Sequence, residues 1–216
     1  MSELSKLREQ ICTLAKSIFD RGLTGGASGN ISVRLDDGGI LVTPTGSSMG
    51  QLDPARLTQL DHTGRIVSGD APTKEIPLHS AFYETRSETG AVVHLHSTHS
   101  VALSMLPDTD PENAIPPLTA YSIMRLGKVK LLPFFVPGDP AMGQAIRGLA
   151  GKRSAVLLAN HGPVVAGKDL EAAIYATEEL EETAKLALLT HGRNPIGLSD
   201  AQIVQVVKKY GIDYTS

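Results

Sequence analysis

Ala91-Val92-Val93-His94-Leu95-His96 is the stretch from which the rest of the chain is best read. Small and branched apolar residues fill it, apart from two histidines, so it reads as a buried strand. A second apolar run, Ala155-Val156-Leu157-Leu158-Ala159, reads the same way. Around these two, helices and strands alternate. Leu4, Leu7, Ile11, Leu14, Ala15 and Ile18 recur at helical spacing, and Gly22 follows as a stop. The glycine-rich loop Thr24-Gly25-Gly26-Ala27-Ser28-Gly29-Asn30 leads into the alternating run Ile31-Ser32-Val33-Arg34-Leu35. Asp36-Asp37-Gly38-Gly39 is a turn, and Ile40-Leu41-Val42-Thr43 returns as the second strand of a hairpin. A short strand pair is expected around the turn His62-Thr63-Gly64-Arg65. Helices are expected over 75–86, 98–105 and 170–189, and one behind Pro137-Gly138-Asp139, which ends a strand over 129–135. The Pro-rich stretch 107–117 reads as loop. The expected fold class is α/β, with one largely antiparallel or mixed sheet covered by helices on both faces.

Composition sets limits on function. The 216 residues are 41% apolar, enough to bury a core, and no linker or compositional shift divides them, so one domain over 1–216 is expected. The net charge of −3 comes from scattered residues of both signs, which argues against a nucleic-acid face or a polybasic membrane patch. The charged start MSELSKLREQ lacks the apolar core of a signal peptide, and no stretch approaches a membrane span of about 20 apolar residues. The cytoplasm is therefore the expected compartment. Cys12, the only cysteine, sits on the apolar stripe of the first helix and reads as an inert core residue.

The chemistry lies in histidines, small-residue loops and one glutamate. His94 and His96 are two apart on a strand and should project to one side. His161 follows the second apolar strand directly, at a sheet edge. Three histidines from two strand ends form a credible set for Zn²⁺ or a similar divalent ion, with a position left open for substrate. A lone histidine is more often structural, and His62 and His191 take that reading. His99 lies outside the strand alternation and is expected to be structural or to support the site. His79 follows Glu75 by four residues on one helix face, so these two can simply pair with each other. Ser28-Gly29-Asn30, Thr45-Gly46-Ser47-Ser48 and Thr73-Lys74 offer hydroxyls and free backbone N–H groups of the kind that encircle a phosphate. The last precedes a helix, whose N-terminus favours an anion. None fits the P-loop or the dinucleotide fingerprint, and each also reads as an ordinary turn.

Together these residues resemble the class II aldolase/adducin family. The landmarks are Ser28-Gly29-Asn30-Ile31-Ser32-Val33-Arg34, Leu41-Val42-Thr43-Pro44-Thr45-Gly46, Glu75, Val92-Val93-His94-Leu95-His96 and Asn160-His161-Gly162, from the first helix to about Tyr210. The resemblance implies a three-layer α/β/α fold with a largely antiparallel sheet and a homotetramer with sites between subunits. It implies that His94, His96, His161 and Glu75 bind one Zn²⁺ and that Glu75 is also the acid/base. It places Gly29, Asn30, Thr45, Gly46, Thr73 and Lys74 around a phosphate, with Ser28 and Ser47 in the same loops. Tyr121 matches a catalytic tyrosine that a neighbouring subunit can contribute. The family's aldolase carries two serines before its glutamate, whereas this chain has Thr73-Lys74-Glu75. That lysine suits a substrate with a second anion. With His94-Leu95-His96-Ser97-Thr98-His99, Tyr121-Ser122-Ile123-Met124-Arg125 and Pro137-Gly138-Asp139, it resembles the subgroup acting on 3-oxo-tetronate 4-phosphates in four-carbon sugar acid catabolism. The implied reaction is metal-dependent decarboxylation through an enediolate to dihydroxyacetone phosphate and CO₂. The alternatives on this scaffold are aldol cleavage of a ketose phosphate such as L-fuculose 1-phosphate, sugar-phosphate 4-epimerisation, dehydration, and a non-catalytic assembly domain.

Overall fold

A computed structural model describes residues 2–214. Its strands are β1 (Asn30–Arg34), β2 (Ile40–Val42), β3 (Thr58–Leu60), β4 (Ile66–Ser68), β5 (Ala91–His94), β6 (Lys130–Leu132), β7 (Ala155–Leu158) and β8 (Gly162–Gly167). They form one open sheet in the order β4-β3-β2-β1-β5-β8-β7-β6. Neighbours run antiparallel except β6 and β7. The helices are α1 (Glu3–Asp20), α2 (Ile76–Thr85), α3 (Thr98–Leu103), α4 (Ala120–Leu126), α5 (Ala141–Gly148), α6 (Leu170–Thr190) and α7 (Asp200–Tyr210).

Strand alternation sorts the side chains into layers. Ala91, Val93 and Leu95 join Ile31 and Val33 in a core closed by Ile11, Ala15 and Ile18 of α1 and by Leu170, Ala173 and Ile174 of α6. Val92 faces the other way. With Val156, Leu158 and Val164 it packs under Leu78, Ala81 and Phe82 of α2 and Met142 and Ile146 of α5. Further along, Ala155, Leu157 and Val165 meet Ala176, Leu180 and Ala184 of α6 and Leu103 of α3. The fold is therefore the expected three-layer α/β/α arrangement. The hairpin of β1 and β2, the short pair β3 and β4, and the helices behind residues 75, 98, 139 and 170 all form where the sequence predicts them.

Several boundaries differ. The strand expected over 129–135 covers only Lys130–Leu132, because Pro133 has no N–H for the ladder. β5 stops at His94, so His96 lies just beyond the strand and alternation does not fix its direction. β8, α4 and α7 form where no element is expected. β8 begins with Gly162-Pro163, which reads locally as a turn. Helix α7 buries no residue, yet its sequence carries helix signals that the reading passed over: a capping box from Ser199 to Gln202 and Gly211 at its end. Cys12 is only partly buried, packed against the edge of the core rather than within it.

Candidate metal centre

The register of the sheet brings the histidines together. Asn30 stands opposite His94 in the β1–β5 ladder, and His94 stands opposite Val164 of β8. Leu158 stands opposite Gly162 in the tight β7–β8 hairpin. His161 sits in that hairpin turn and so lies beside the end of β5. Two backbone conformations make this closure work. Asn160 adopts φ 57°, and Gly162 adopts φ 151°. A Cβ on Gly162 would lie 2.2 Å from the Leu95 carbonyl oxygen, so only glycine lets the hairpin rest on Leu95 and His96.

The three imidazoles converge through their Nε2 atoms. His94 Nε2 and His96 Nε2 are 3.2 Å apart, and His161 Nε2 lies 3.1 Å from His96 Nε2. Two nitrogens bound to one tetrahedral zinc at about 2.0–2.1 Å would be roughly 3.3 Å apart, so the spacing fits a shared ion. The His94 tautomer is set by its surroundings. His94 Nδ1 donates to the Pro163 carbonyl at 2.9 Å, which leaves a lone pair on the inward Nε2. Burial pushes His94 down to about 4, against the pull of Glu75. Burial also lowers His96 and His161. All three rings are thus neutral at physiological pH, the form a metal needs.

Glu75 completes the set. It occupies the N-cap position of α2, but its carboxylate does not cap that helix. Instead the Glu75 N–H donates to the Thr73 hydroxyl at 3.2 Å, and the carboxylate turns towards the sheet. Oε2 lies 3.4 Å from His94 Nε2 and accepts from Asn30 Nδ2 at 2.7 Å. Oε1 lies 3.6 Å from His161 Nε2. Burial opposes the charge on Glu75; attraction to His94 when that ring takes up a proton, the Asn30 amide, and the same attraction to His161 outweigh it and hold the carboxyl below its usual range. Among the described residues, Glu75 Oε1 and His161 Nδ1 are buried without a hydrogen-bond partner. Three converging ring nitrogens and a carboxylate oxygen with no donor form a cluster of potential ligand atoms, and a divalent cation would satisfy it.

The small-residue loops meet beside this cluster. Thr43 N–H donates to Ile31 O and Ile31 N–H to the Thr43 hydroxyl, while Thr73 N–H donates to Thr43 O. Thr45 N–H donates to Ala71 O, so the segments that start at Asn30, Thr43 and Thr73 run side by side. Gly29 has φ 83°, and a Cβ there would lie 2.8 Å from the His94 carbonyl oxygen. Some groups are already committed. Ser28 Oγ donates to Gly25 O, Ser47 Oγ to Pro44 O, and both polar atoms of Asn30 are engaged by Glu75 and His79. Thr45, Gly46, Ser47 and Ser48 border a cavity of about 240 Å³ with Asp53, Arg56 and Asp70, whereas Ser28, Gly29, Asn30, Thr73 and Lys74 do not line it. Lys74 is exposed beside Gly138.

His96 and His161 open onto a larger cavity of about 530 Å³, bounded by Val101, Met105, Phe134 and Pro137. Tyr121 is 60% exposed on α4 and does not line that cavity, so one chain does not bring it to the histidines. His99 is engaged elsewhere, with Glu181 of α6. His79 does not pair directly with Glu75 as its spacing allows; Asn30 stands between them. The sequence reading missed Ser32 and Tyr83, which bond to His79 and to each other. Their signal was the spacing of Glu75, His79 and Tyr83, four apart, facing Asn30 and Ser32, two apart.

The chain is 48% identical over 205 residues to 3-oxo-tetronate 4-phosphate decarboxylase of Haemophilus influenzae, covering 94% of this chain and 96% of that one. It is 32% identical to L-fuculose phosphate aldolase of Escherichia coli K12, covering 96% and 95%. The crystal structure of YgbL from Escherichia coli superimposes with a TM-score of 0.92 at 44% identity, over 95% of this chain and 99% of that one. The Class II Aldolase and Adducin N-terminal domain matches residues 9–188, and the chain belongs to that family.

Proposed function

We propose that this chain is a divalent-metal-dependent carbon–carbon lyase that decarboxylates a 3-oxo-tetronate 4-phosphate to dihydroxyacetone phosphate and CO₂. The observation that carries this reading is the cluster of three converging Nε2 atoms beside the Glu75 carboxylate, whose Oε1 has no hydrogen-bond partner. In it, His94, His96 and His161 hold the ion, with Glu75 as a further ligand when no substrate is present. Bound there, a divalent ion supplies Lewis acidity for the charge that develops on the substrate's C3 oxygen.

The protein's own groups do the rest. The substrate carries a carboxylate at C1, a hydroxyl at C2, a ketone at C3 and a phosphate at C4. Cleavage of the C1–C2 bond releases CO₂, and its electron pair moves towards the C3 carbonyl. Glu75, ionised in the substrate-free site, first takes up a proton from solvent and then passes it to C2, which completes dihydroxyacetone phosphate. Ser28, Gly29, Asn30, Thr45, Gly46, Ser47 and Thr73 form the phosphate-binding loops, and Lys74 faces the carboxylate. A homotetramer with Tyr121 contributed by a neighbouring subunit, a cytoplasmic location and zinc as the ion belong to the same proposal.

Greater identity to the decarboxylase than to the aldolase supports CO₂ as the leaving group. Aldol cleavage of a ketose phosphate is the second reading, since the 32% relative shares nearly the full length and the same electron sink serves both. Product analysis decides between them. Incubation with a 3-oxo-tetronate 4-phosphate should release CO₂ and dihydroxyacetone phosphate in equal amounts. Turnover of L-fuculose 1-phosphate without any CO₂ release from the sugar acid would replace the first reading with the second.

A further inference from the structure

Helix α2 lies over β1 with a polar face buried against a polar face. Glu75, His79 and Tyr83 follow one another at four-residue intervals along the helix, and Asn30 and Ser32 point to the same side of the strand. His79 and Ser32 are fully buried, and no solvent reaches between them. The contacts form an unbroken chain. Tyr83 Oη is 2.8 Å from Ser32 Oγ, and Ser32 Oγ is 2.7 Å from His79 Nδ1. His79 Nε2 bonds to Asn30 Oδ1, and Asn30 Nδ2 bonds to Glu75 Oε2 at 2.7 Å.

The polarity of this chain follows from its carboxylate end. An ionised Glu75 can only accept, so the Asn30 amide must turn its NH₂ towards it. Asn30 Oδ1 then faces His79, and His79 Nε2 must carry a proton. Burial keeps the His79 ring neutral, pushed down to about 3, so Nδ1 is an acceptor and takes the Ser32 hydroxyl proton. Ser32 Oγ is left to accept from Tyr83. Each link permits one direction only.

From this geometry we infer that His79 is a positioning residue: with Ser32 it locks the Asn30 amide onto Glu75 Oε2 and thereby assigns the proton-carrying role to Oε1. Oε1 is the oxygen that has no partner and faces His161. Without the lock the His79 tautomer can switch. Nε2 would then accept from the Asn30 amide, and Asn30 Oδ1 would face the carboxylate, acceptor against acceptor. The inference rests on the reading of Glu75 as proton carrier given above.

Two measurements test it on the zinc-loaded full chain. Long-range ¹⁵N NMR should show His79 as the neutral ring with its proton on Nε2. A proton on Nδ1, or an imidazolium, overturns the chain's polarity and the inference with it. In the second, Ser32→Ala should lower kcat by about 10–100-fold, the usual cost of losing a group that orients a functional side chain. Zinc content and KM should stay near wild type, which a general loss of structure would not allow. Wild-type kcat in folded Ser32→Ala overturns the inference. Should that variant not fold, the wild-type spectrum decides alone. Glu75→Gln separates the two levels. If it retains full turnover, the proton-carrier reading falls. If it is inactive while Ser32→Ala is fully active, only the positioning role falls.

Discussion

Replacing Gly162 by alanine should damage the metal centre without touching a ligand. The new Cβ would lie 2.2 Å from the Leu95 carbonyl oxygen and 3.2 Å from His96 Cα, whereas ordinary contact begins at 3.4 Å. The β7–β8 hairpin must therefore retreat from the end of β5 by roughly 1 Å, and His161 moves with it. Metal sites tolerate errors of only about 0.2 Å in ligand placement. The backbone adds its own cost, because φ 151° is a conformation almost confined to glycine. That strain costs on the order of 1–3 kcal/mol, and the overpacking costs a similar amount. Urea unfolding of the metal-free variant should show a loss of about 2–6 kcal/mol. Zinc affinity, measured by competition with a chromophoric chelator, should fall at least about 10–100-fold. Gly64→Ala is the control. Gly64 also has positive φ, 81°, but nothing lies within 4 Å of its added Cβ. It should cost only about 1–2 kcal/mol and leave zinc binding intact. Wild-type zinc affinity in Gly162→Ala would refute the argument that the hairpin's close approach places His161.

His96→Ala should abolish zinc binding and turnover together, since His96 Nε2 lies within 3.2 Å of both other ring nitrogens; metal analysis of the purified variant checks this, and a full zinc complement would reject the three-histidine site. Stability of the metal-free protein should fall with acidification. The folded-state pKa values of about 4 for His94 and about 3 for His79 lie below the ordinary 6.5, so below 6.5 the unfolded chain binds protons that the folded chain excludes. Stability is then full above about pH 6.5 and lost towards pH 4, by on the order of 3 kcal/mol for His94 alone. Urea midpoints that stay constant across that range would contradict neutral buried histidines. Lys74→Ser should raise KM for the 3-oxo-tetronate 4-phosphate about tenfold while changing KM for a neutral ketose phosphate little, as expected for one lost ion pair in a partly exposed site; equal changes would remove Lys74 from carboxylate recognition.

Local patterns in the sequence were enough to specify most of the strands of the sheet and the helices that cover it. The apolar runs at 91–93 and 155–158 have no polar face and read as central strands, and the alternation at 30–34 with the turn at 36–39 reads as a hairpin. The histidine ligands were legible for the same reason: each stands at the end of such a run. Strand β8 escaped notice because it opens with Gly-Pro, whereas helix α7 had a legible capping box, Ser199 to Gln202, that was passed over. The alternation at Asn30-Ile31-Ser32-Val33 carried a subtler ambiguity. A polar strand face usually meets water, yet here α2 covers it. Only the tertiary structure shows that Asn30, Ser32, His79 and Tyr83 spend their hydrogen bonds on one another and on Glu75. The reason is physical: a period in sequence states which side chains share a face, but what lies opposite that face depends on contacts between residues 45 to 51 positions apart. For the histidines, sequence supplied the nitrogens. The register of β5, β8 and β7, closed by a glycine that no side chain could replace, supplied the 3.1–3.2 Å spacing that makes them a site.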